Sequence, residues 1–251
     1  MKVDYRTDIG AVRASNQDAC DCGLFSPESA WVVVCDGMGG AAGGDTASSL
    51  ALASIREDMT SGFREEMDEA GVNSLILSAL AKANETVYRR ALAQPELRGM
   101  GTTAVVMIAR PGRLHVAHIG DSRAYLWQAS TGAVRQLTVD HSYVQDLVNV
   151  GQITPEEARV HPHRNIITRV LGGHESVVPD LTVVNFAPGD LALACSDGLS
   201  NYTPPQQLAG FIRRAGSDTR ALVDSLVDHA VTSGGADNIT AAVLVNDSPE
   251  D

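Results

Sequence analysis

The chain has few cysteines, few aromatic residues and little positive charge. Its 251 residues include 4 cysteines, 4% aromatic residues, and 19 Lys and Arg against 31 Asp and Glu, which gives a formal net charge of −12. No basic cluster is longer than the pairs Arg89–Arg90 and Arg213–Arg214. Because nucleic acids and acidic membranes are bound through clustered positive charge, we expect neither as a partner.

The cysteines and apolar runs exclude further classes. Cys20, Cys22, Cys35 and Cys195 form no C-x-x-C pair, so we expect reduced thiols, with a Cys20–Cys22 metal clip as the alternative. No apolar run approaches the ~18 residues of a membrane span, and the first residues contain no apolar signal core. We therefore expect a cytoplasmic location and no membrane association.

Length and patterning predict one domain over 1–251. Hydrophobic residues make up 44% and charged residues 20% of the chain, an ordinary globular composition. Strand patterns occur at about 2–9, 31–36, 102–109, 113–120, 123–128, 133–137, 180–186, 190–196 and 239–246. Helical periodicity occurs at about 45–59, 72–93, 142–150, 204–214 and 218–232. Runs of strands joined by short turns, with helices grouped between them, predict an α+β fold.

Four aspartates stand at turns or at the ends of apolar runs. They are Asp18, Asp36, Asp197 and Asp237, and the runs 32–35 and 191–195 lead directly into Asp36–Gly37 and into Ser196–Asp197–Gly198. A single Asp-Gly pair is usually only a turn. Several carboxylates that converge at strand ends repel one another unless cations lie between them, and hard oxygen ligands favour Mg²⁺ or Mn²⁺.

A competing motif follows the strand 31–36. Gly37-x-Gly39-x-x-Ala42 fits a dinucleotide-binding fingerprint and a helix follows it. However, no second strand follows promptly, and Asp36 puts negative charge where a pyrophosphate would lie. We therefore disfavour nucleotide binding.

Eight segments together carry a family resemblance. In order, they are Arg13-x-x-Asn16-Gln17-Asp18, Asp36-Gly37-Met38-Gly39-Gly40, Gly101-Thr102-Thr103-Ala104, His118-Ile119-Gly120-Asp121-Ser122-Arg123, Leu137-Thr138-x-Asp140-His141-Ser142, Arg164-Asn165-x-x-Thr168-Arg169-x-Leu171-Gly172, Ser196-Asp197-Gly198-Leu199 and Asp237-Asn238-Ile239-Thr240. From Thr7 to about Val245 the chain resembles the metal-dependent protein phosphatases of type 2C, in their bacterial serine/threonine phosphatase form. The resemblance implies a β-sandwich with helices on both outer faces.

The resemblance also implies roles for individual residues. Asp36 would bridge two core ions, and the Gly37 carbonyl would bind one of them. Asp197 and Asp237 would hold the first ion, and Asp18 the second, partly through water. Asp121 with Asp197 would form a weaker third site, and Asn238 would steady the turn of Asp237. Arg13 would bind two oxygens of the substrate phosphate, which suits a planar guanidinium.

The reaction that the resemblance implies is hydrolysis of phosphoserine and phosphothreonine in proteins, by direct attack of a hydroxide that bridges two ions. The general acid is left open, because Met38 and Ala41 stand where many relatives carry histidine. A water on the third ion is one candidate, and we expect His141 to order a loop rather than to act chemically.

Residues 142–163 correspond to the segment called the flap in bacterial members, and their polar sequence predicts little helix. We expect a monomer that opposes a bacterial serine/threonine kinase. A catalytically inactive phosphoprotein-binding module and a metal-stabilised structural domain are the alternatives.

Overall fold

Two antiparallel sheets form the centre of the computed structural model, which describes residues 1–247 except for the side chains of residues 41 and 42. The predicted domain boundary at 251 lies outside the described residues. The first sheet has the order β1 (Lys2–Asp8), β11 (Ile239–Val245), β10 (Leu191–Cys195), β7 (Arg123–Gln128) and β8 (Ala133–Gln136). The second has the order β2 (Asp18–Ser26), β3 (Ser29–Met38), β5 (Ala104–Arg110), β6 (Gly112–Ile119) and β9 (Asp180–Phe186), and the short β4 (Gly101–Thr102) pairs with the end of β3.

The two sheets pack face to face, as the alternation of side chains along β3 illustrates. Ala30, Val32 and Val34 lie in the core between the sheets, with Ala192, Ala194, Ala242 and Leu244 of the first sheet. Trp31, Val33 and Cys35 face outward into a second core. Because both faces of β3 are buried, its sequence is a continuous apolar run rather than an alternating one.

Helices cover both outer faces of the sandwich. The helices α1 (Gly40–Gly62) and α2 (Glu69–Ala93) pack on the second sheet, and α6 (Pro205–Ala215) and α7 (Thr219–Thr232) pack on the first. Three short helices, α3 (Tyr143–Asn149), α4 (Pro155–Val160) and α5 (Asp197–Ser200), lie in the connections. The predicted α+β sandwich with helices on both sides is therefore confirmed.

Some local predictions were incomplete. The strand β2 was not predicted, because polar residues interrupt its apolar alternation, and α1 begins earlier than residue 45. The predicted strand 102–109 is divided at Thr103 into β4 and β5. In the flap, α3 agrees with the helix predicted at about 142–150, whereas α4 was not predicted.

Other sequence expectations can also be compared with the fold. The strand β3 pairs antiparallel with both β2 and β5, whereas a dinucleotide-binding unit requires parallel strands, so the Gly37-x-Gly39 motif is not part of such a unit. All four cysteines are free, and none belongs to a metal-ligand cluster of the described residues. Within residues 1–247, no helix is long and apolar enough to cross a membrane.

Candidate active site

A cleft of about 520 Å³ opens at one end of the sandwich. Its walls contain six of the seven predicted site residues, namely Arg13, Asp36, Gly37, Asp121, Asp197 and Asp237. The seventh, Asp18, does not line the cleft and is buried. The fold brings the six together because β3, β6 and β10 end at this edge and β11 begins there.

Asp18 and Asp36 lie directly opposite each other on β2 and β3. Directly paired residues of an antiparallel ladder point to the same face, here the face that packs on the first sheet. Like charges in this position destabilise the pair by repulsion. Two carboxylates placed in this way are a site where a cation would stabilise the fold.

The Asp18 carboxylate is only half satisfied by the protein. Its Oδ2 accepts hydrogen bonds from Ser196 Oγ at 2.7 Å and from Thr240 Oγ1 at 2.6 Å. Its Oδ1 is buried and has no partner among the described residues. An unpartnered buried carboxylate oxygen is costly, so Oδ1 lacks the partner that a cation or a cation-bound water would provide.

Two threonines fix the backbone of Asp36 from β4 and the residue after it. Thr103 N donates to Asp36 O at 2.9 Å, and Asp36 N donates to Thr103 Oγ1 at 2.9 Å. Thr102 Oγ1 also donates to Asp36 O at 2.9 Å. No role was predicted for these buried threonines, although two polar residues beside the apolar run 104–109 were a signal in the sequence. They hold Asp36 at the cleft and interrupt the strand there.

Asp197 and Asp237 come from neighbouring strands of the first sheet. Asp197 begins α5 just after β10, and Asp237 precedes β11. Asn238 N donates to Asp237 Oδ1 at 2.8 Å, while Asn238 Nδ2 donates to Ile9 O and Ser15 O. Asn238 therefore joins this turn to the loop that carries Arg13.

Arg13 projects into the cleft from the loop between β1 and β2. Its Nη2 donates to Asp237 Oδ2 at 2.6 Å, and its side chain is 51% exposed. The hydrogen bond that Arg13 donates to Asp237, together with the charges of Asp237, Asp197 and Asp36, raises the pKa of Arg13 despite partial burial. In this structure the guanidinium thus contacts a predicted metal ligand, and one side of it remains open to the cleft.

Asp121 follows β6 in a turn that glycine makes possible. Gly120 has φ of +100°, and a Cβ there would overlap the side chain of Thr103. Gly37 has a similar constraint without positive φ, because a Cβ would overlap the carbonyl oxygens of Gly44 and Gln17. Gly37 thus lets backbone segments approach closely at the cleft, and Gly120 leaves room for the side chain of Thr103.

Burial and mutual repulsion disfavour the charged forms of these carboxyl groups. Burial, with a smaller contribution from Asp237, raises the pKa of Asp197 to about 6. Burial, with Asp197 and Asp140, raises the pKa of Asp121 to about 7. Burial raises the pKa of Asp18 to about 7 despite its two hydroxyl donors, and burial and the Asp18 charge raise that of Asp36 well above its usual value.

The donor set of the cleft fits hard divalent ions. Every predicted ligand is a carboxylate or a backbone carbonyl, the oxygen donors that Mg²⁺ and Mn²⁺ prefer. The unpartnered Asp18 Oδ1 and the raised carboxyl pKa values indicate that the protein alone does not neutralise this charge. Divalent ions in the cleft would do so.

Comparisons with known proteins agree with this geometry. Residues 11–230 match the family model for Protein phosphatase 2C. The serine/threonine phosphatase stp of Listeria welshimeri is 35% identical, over 97% of this chain and 95% of its own length. The chain belongs to the protein phosphatase 2C family.

Solved structures of the family superimpose closely on this chain. The serine/threonine phosphatase PstP/Ppp of Mycobacterium tuberculosis gives a TM-score of 0.84 at 36% identity, covering 96% of this chain and 97% of its own. A PstP catalytic domain in complex with two manganese ions gives a TM-score of 0.82 at 33% identity and covers 96% of each chain. These matches extend over nearly the whole sandwich of this type 2C phosphatase.

A histidine pair lies outside the cleft of this type 2C phosphatase. His118, His141 and Asp180 are the one cluster in residues 1–247 whose three ligand atoms lie within 4.8 Å of one another. However, Arg169 Nη1 lies 3.0 Å from Asp180 Oδ1 and 3.2 Å from His141 Nε2. The positively charged guanidinium of Arg169 therefore already contacts two of the three residues of this cluster. We interpret the cluster as a structural network, distinct from the carboxylate cleft.

His141 fixes the turn of Asp121 through the backbone. Its N donates to Gly120 O at 2.9 Å, and Gly120 N donates to His141 Nδ1 at 3.1 Å. Burial lowers the pKa of both His141 and His118, whose rings stack at 4.6 Å, so both are neutral near pH 7. These bonds agree with the prediction that His141 orders a loop.

The cleft walls contain no histidine among the described residues. Met38, which stands where relatives carry a histidine that could act as general acid, is 40% exposed at the cleft. His161 and His163 of the flap lie near Tyr143, with ring centroids 6.1 Å from it, and do not line the cleft. The cleft of this type 2C phosphatase therefore offers no imidazole as proton donor.

Proposed function

We propose that this chain is a serine/threonine protein phosphatase that hydrolyses phosphoserine and phosphothreonine in proteins with the help of Mn²⁺ or Mg²⁺. The observation that carries the proposal is the placement of Asp36, directly opposite the buried Asp18, in the wall of a cleft that is also lined by Asp121, Asp197, Asp237 and Arg13. Membership of the type 2C family supports the same activity.

The proposed ligands divide between two core ions and a weaker third one. Asp36 and the Gly37 carbonyl would serve the core ions, with Asp197 and Asp237 on the first. Asp18 would hold the second core ion through its unpartnered Oδ1, partly by way of water. Asp121 would share the third ion with Asp197. The structure of a relative with two manganese ions supports manganese in such a site.

When bound, the ions supply a nucleophile from water near neutral pH and neutralise charge on the phosphoryl group. The residues of the chain hold and orient the substrate. Arg13 would bind two phosphate oxygens with its fork of N–H donors, which requires its bond to Asp237 to loosen. Thr102 and Thr103 would keep Asp36 in place during turnover.

The alternatives are less consistent with the site. A catalytically inactive phosphoprotein-binding module would not need every predicted ligand and Arg13, yet all are present at or next to one cleft. A metal-stabilised structural domain would not need an arginine with free donors beside the carboxylates. Neither alternative explains the cleft as well as a phosphatase does.

The cellular setting is also part of the proposal. Bacterial relatives named serine/threonine phosphatase support phosphorylated proteins as substrates. We propose that the chain acts as a single-domain monomer that opposes a serine/threonine kinase. Kinases use ATP, so we place the proposed activity in the cytoplasm.

Hydrolysis of a phosphothreonine peptide and of an aryl phosphate, each with added MnCl₂ and with a chelator, tests the proposal. We expect turnover of both substrates with Mn²⁺ and none with the chelator. Metal-dependent stabilisation without any turnover would favour the structural alternative. Phosphopeptide binding without hydrolysis would favour the inactive module.

A further inference from the structure

A second cavity, of about 380 Å³, lies beside the cleft. The two share Asp121, Asn165 and Asp197 in their walls. The outer wall comes from α3, α4 and the residues after them, so we call this space the flap cavity. A substrate chain whose phosphate lies in the cleft has its neighbouring residues within reach of the flap cavity, because an extended chain advances about 3.3–3.6 Å per residue.

Two opposite charges in the wall of the flap cavity neutralise each other. Arg123 donates to Asp140 through Nε, at 2.9 Å from Oδ1, and through Nη2, at 2.7 Å from Oδ2. This bidentate pair therefore adds no net charge to the wall. Asp121 and Asp197, at the shared end, are the proposed ligands of the ions.

The outer wall carries positive charge that the protein does not neutralise. Arg159 and Arg164 line the cavity and are exposed, and neither forms an ion pair with any residue of the described range 1–247. The acidic residues of the same segment, Asp146, Glu156 and Glu157, do not line the cavity, and Glu157 caps α4. Two arginines without an ion-pair partner among the described residues therefore line a cavity that adjoins the proposed phosphate site.

We propose that the flap cavity is a subsite for a second anionic residue of the substrate, a carboxylate or another phosphoryl group, a few positions from the phosphoresidue that is hydrolysed. The inference rests on the proposed function. A guanidinium matches both anions with two N–H donors. Val144, Val148, Pro204 and Pro205 give the remaining wall an apolar surface against which the peptide packs.

A series of phosphothreonine peptides tests the subsite. The peptides are identical except for glutamate or glutamine at one flanking position at a time, and a further set carries phosphonomethylalanine, a phosphoserine analogue that cannot be hydrolysed. With MnCl₂ present, we expect glutamate to lower KM about tenfold relative to glutamine at one or more positions, which corresponds to one charge-assisted hydrogen bond. A larger effect of the phosphonate would identify a phosphoryl group as the preferred anion.

Arginine variants locate the effect. In the double variant Arg159→Gln/Arg164→Gln we expect the ratio of kcat/KM for the glutamate peptide to that for the glutamine peptide to fall to about one. Each single variant should keep part of the preference for glutamate. Arg90→Gln is the matched control, because it removes the same charge from an exposed position on α2, outside both cavities. It should keep the wild-type ratio.

The outcomes are distinguishable. Equal KM for glutamate and glutamine at every position in the wild type would overturn the subsite, as would a ratio that the double variant keeps. Failure of the wild type to hydrolyse any peptide or the aryl phosphate with MnCl₂ would overturn the proposed function, and the subsite with it.

Discussion

At the residue scale, the site depends on aspartates that the fold buries and places close to one another. Both burial and mutual repulsion disfavour their charged forms. Asp18 and Asp36 are paired across two strands, and burial raises the pKa of both. Hydroxyl and backbone donors fix their positions without neutralising them. The metal-site assignments of individual residues remain predictions, and two variants test them at this scale.

The first variant, Arg13→Ala, removes the proposed phosphate contact. We expect KM for a phosphopeptide to rise by about tenfold to a hundredfold, with a smaller change in kcat, because the contact is made to bound substrate and transition state alike. Manganese affinity should not fall, because Arg13 is paired with Asp237 in this structure and must release that carboxylate before Asp237 can bind an ion. Titration calorimetry in which the variant no longer binds Mn²⁺ would instead make Arg13 a structural support of the site.

The second variant, Asp121→Ala, addresses the third ion. With only Asp121 and Asp197 as protein ligands, that ion would bind weakly, since affinity falls with the number of charged ligands. We expect two manganese ions to remain tightly bound while phosphopeptide turnover falls, because a water on the third ion is the best remaining proton donor. Asp146→Ala, an exposed aspartate outside both cavities, is the control. Full turnover of Asp121→Ala across manganese concentrations would show that this ion is dispensable.

At the element scale, the flap helix α4 is held by its cap rather than by burial. Thr154 Oγ1 accepts from Glu157 N, Glu157 Oε2 accepts from Thr154 N, and α4 has no buried residue. In Thr154→Ala we expect a loss of about 1 kcal/mol in local helix stability with little change in global stability. Hydrogen exchange should accelerate over 154–160, and the preference for an anionic flanking residue should weaken because Arg159 lies on α4. Thr60→Ala, a change in α1, is the control and should leave exchange in α4 unchanged. Unchanged exchange in α4 of Thr154→Ala would contradict this account.

The sequence predicted best the elements that have one apolar and one polar face, or two apolar faces. The run 31–36 and the helical stripe of α2 are such cases, and both elements are confirmed. β2 was missed because Asp18 puts a charge on its inner face and Gly23 is unfavourable in a strand, although Cys20–Asp21–Cys22 alternates and both cysteines contact the inner core. The break at Thr103 could not be predicted from periodicity, since it follows from bonds to Asp36, a partner 67 residues away in the chain.

The residues of the cleft were predicted better than the contacts between them. Strand-end aspartates and the family motifs predicted seven site residues, of which six line the cleft and the seventh, Asp18, is buried outside its walls. The bond between Arg13 and Asp237 and the flap cavity depend on the packing of distant segments, which no local pattern encodes. The single domain over 1–251 stays a prediction.

At the scale of the whole molecule, the carboxylates should make the metal-free protein sensitive to pH. A carboxyl group whose pKa rises from 3.8 in the unfolded chain to about 7 in the fold, as for Asp18, contributes stability at low pH that is lost as pH rises to about 7. In chelator, Asp18→Asn should match the wild type near pH 4 and exceed it by about 4 kcal/mol near pH 8, because a shift of about 3 pKa units corresponds to about 1.4 kcal/mol per unit. Urea unfolding at several pH values measures this difference.

Manganese should reverse that order. The wild type should gain stability from ions that bind the folded state, and Asp18→Asn should gain less because its Oδ1 carries no charge. Parallel pH profiles of the two proteins in chelator would contradict the inferred strain at Asp18. Equal gains with MnCl₂ would remove Asp18 from the ligand set.

The most direct test of the central claim, that the carboxylate cleft around Asp36 is a divalent-metal phosphatase centre, is the rate of phosphothreonine-peptide hydrolysis by Asp36→Asn at saturating MnCl₂. Loss of one charge from a bridging position should lower kcat by about a thousandfold. The variant should remain folded, because asparagine keeps the shape of the side chain and the backbone bonds to Thr102 and Thr103. Turnover close to that of the wild type would contradict the account.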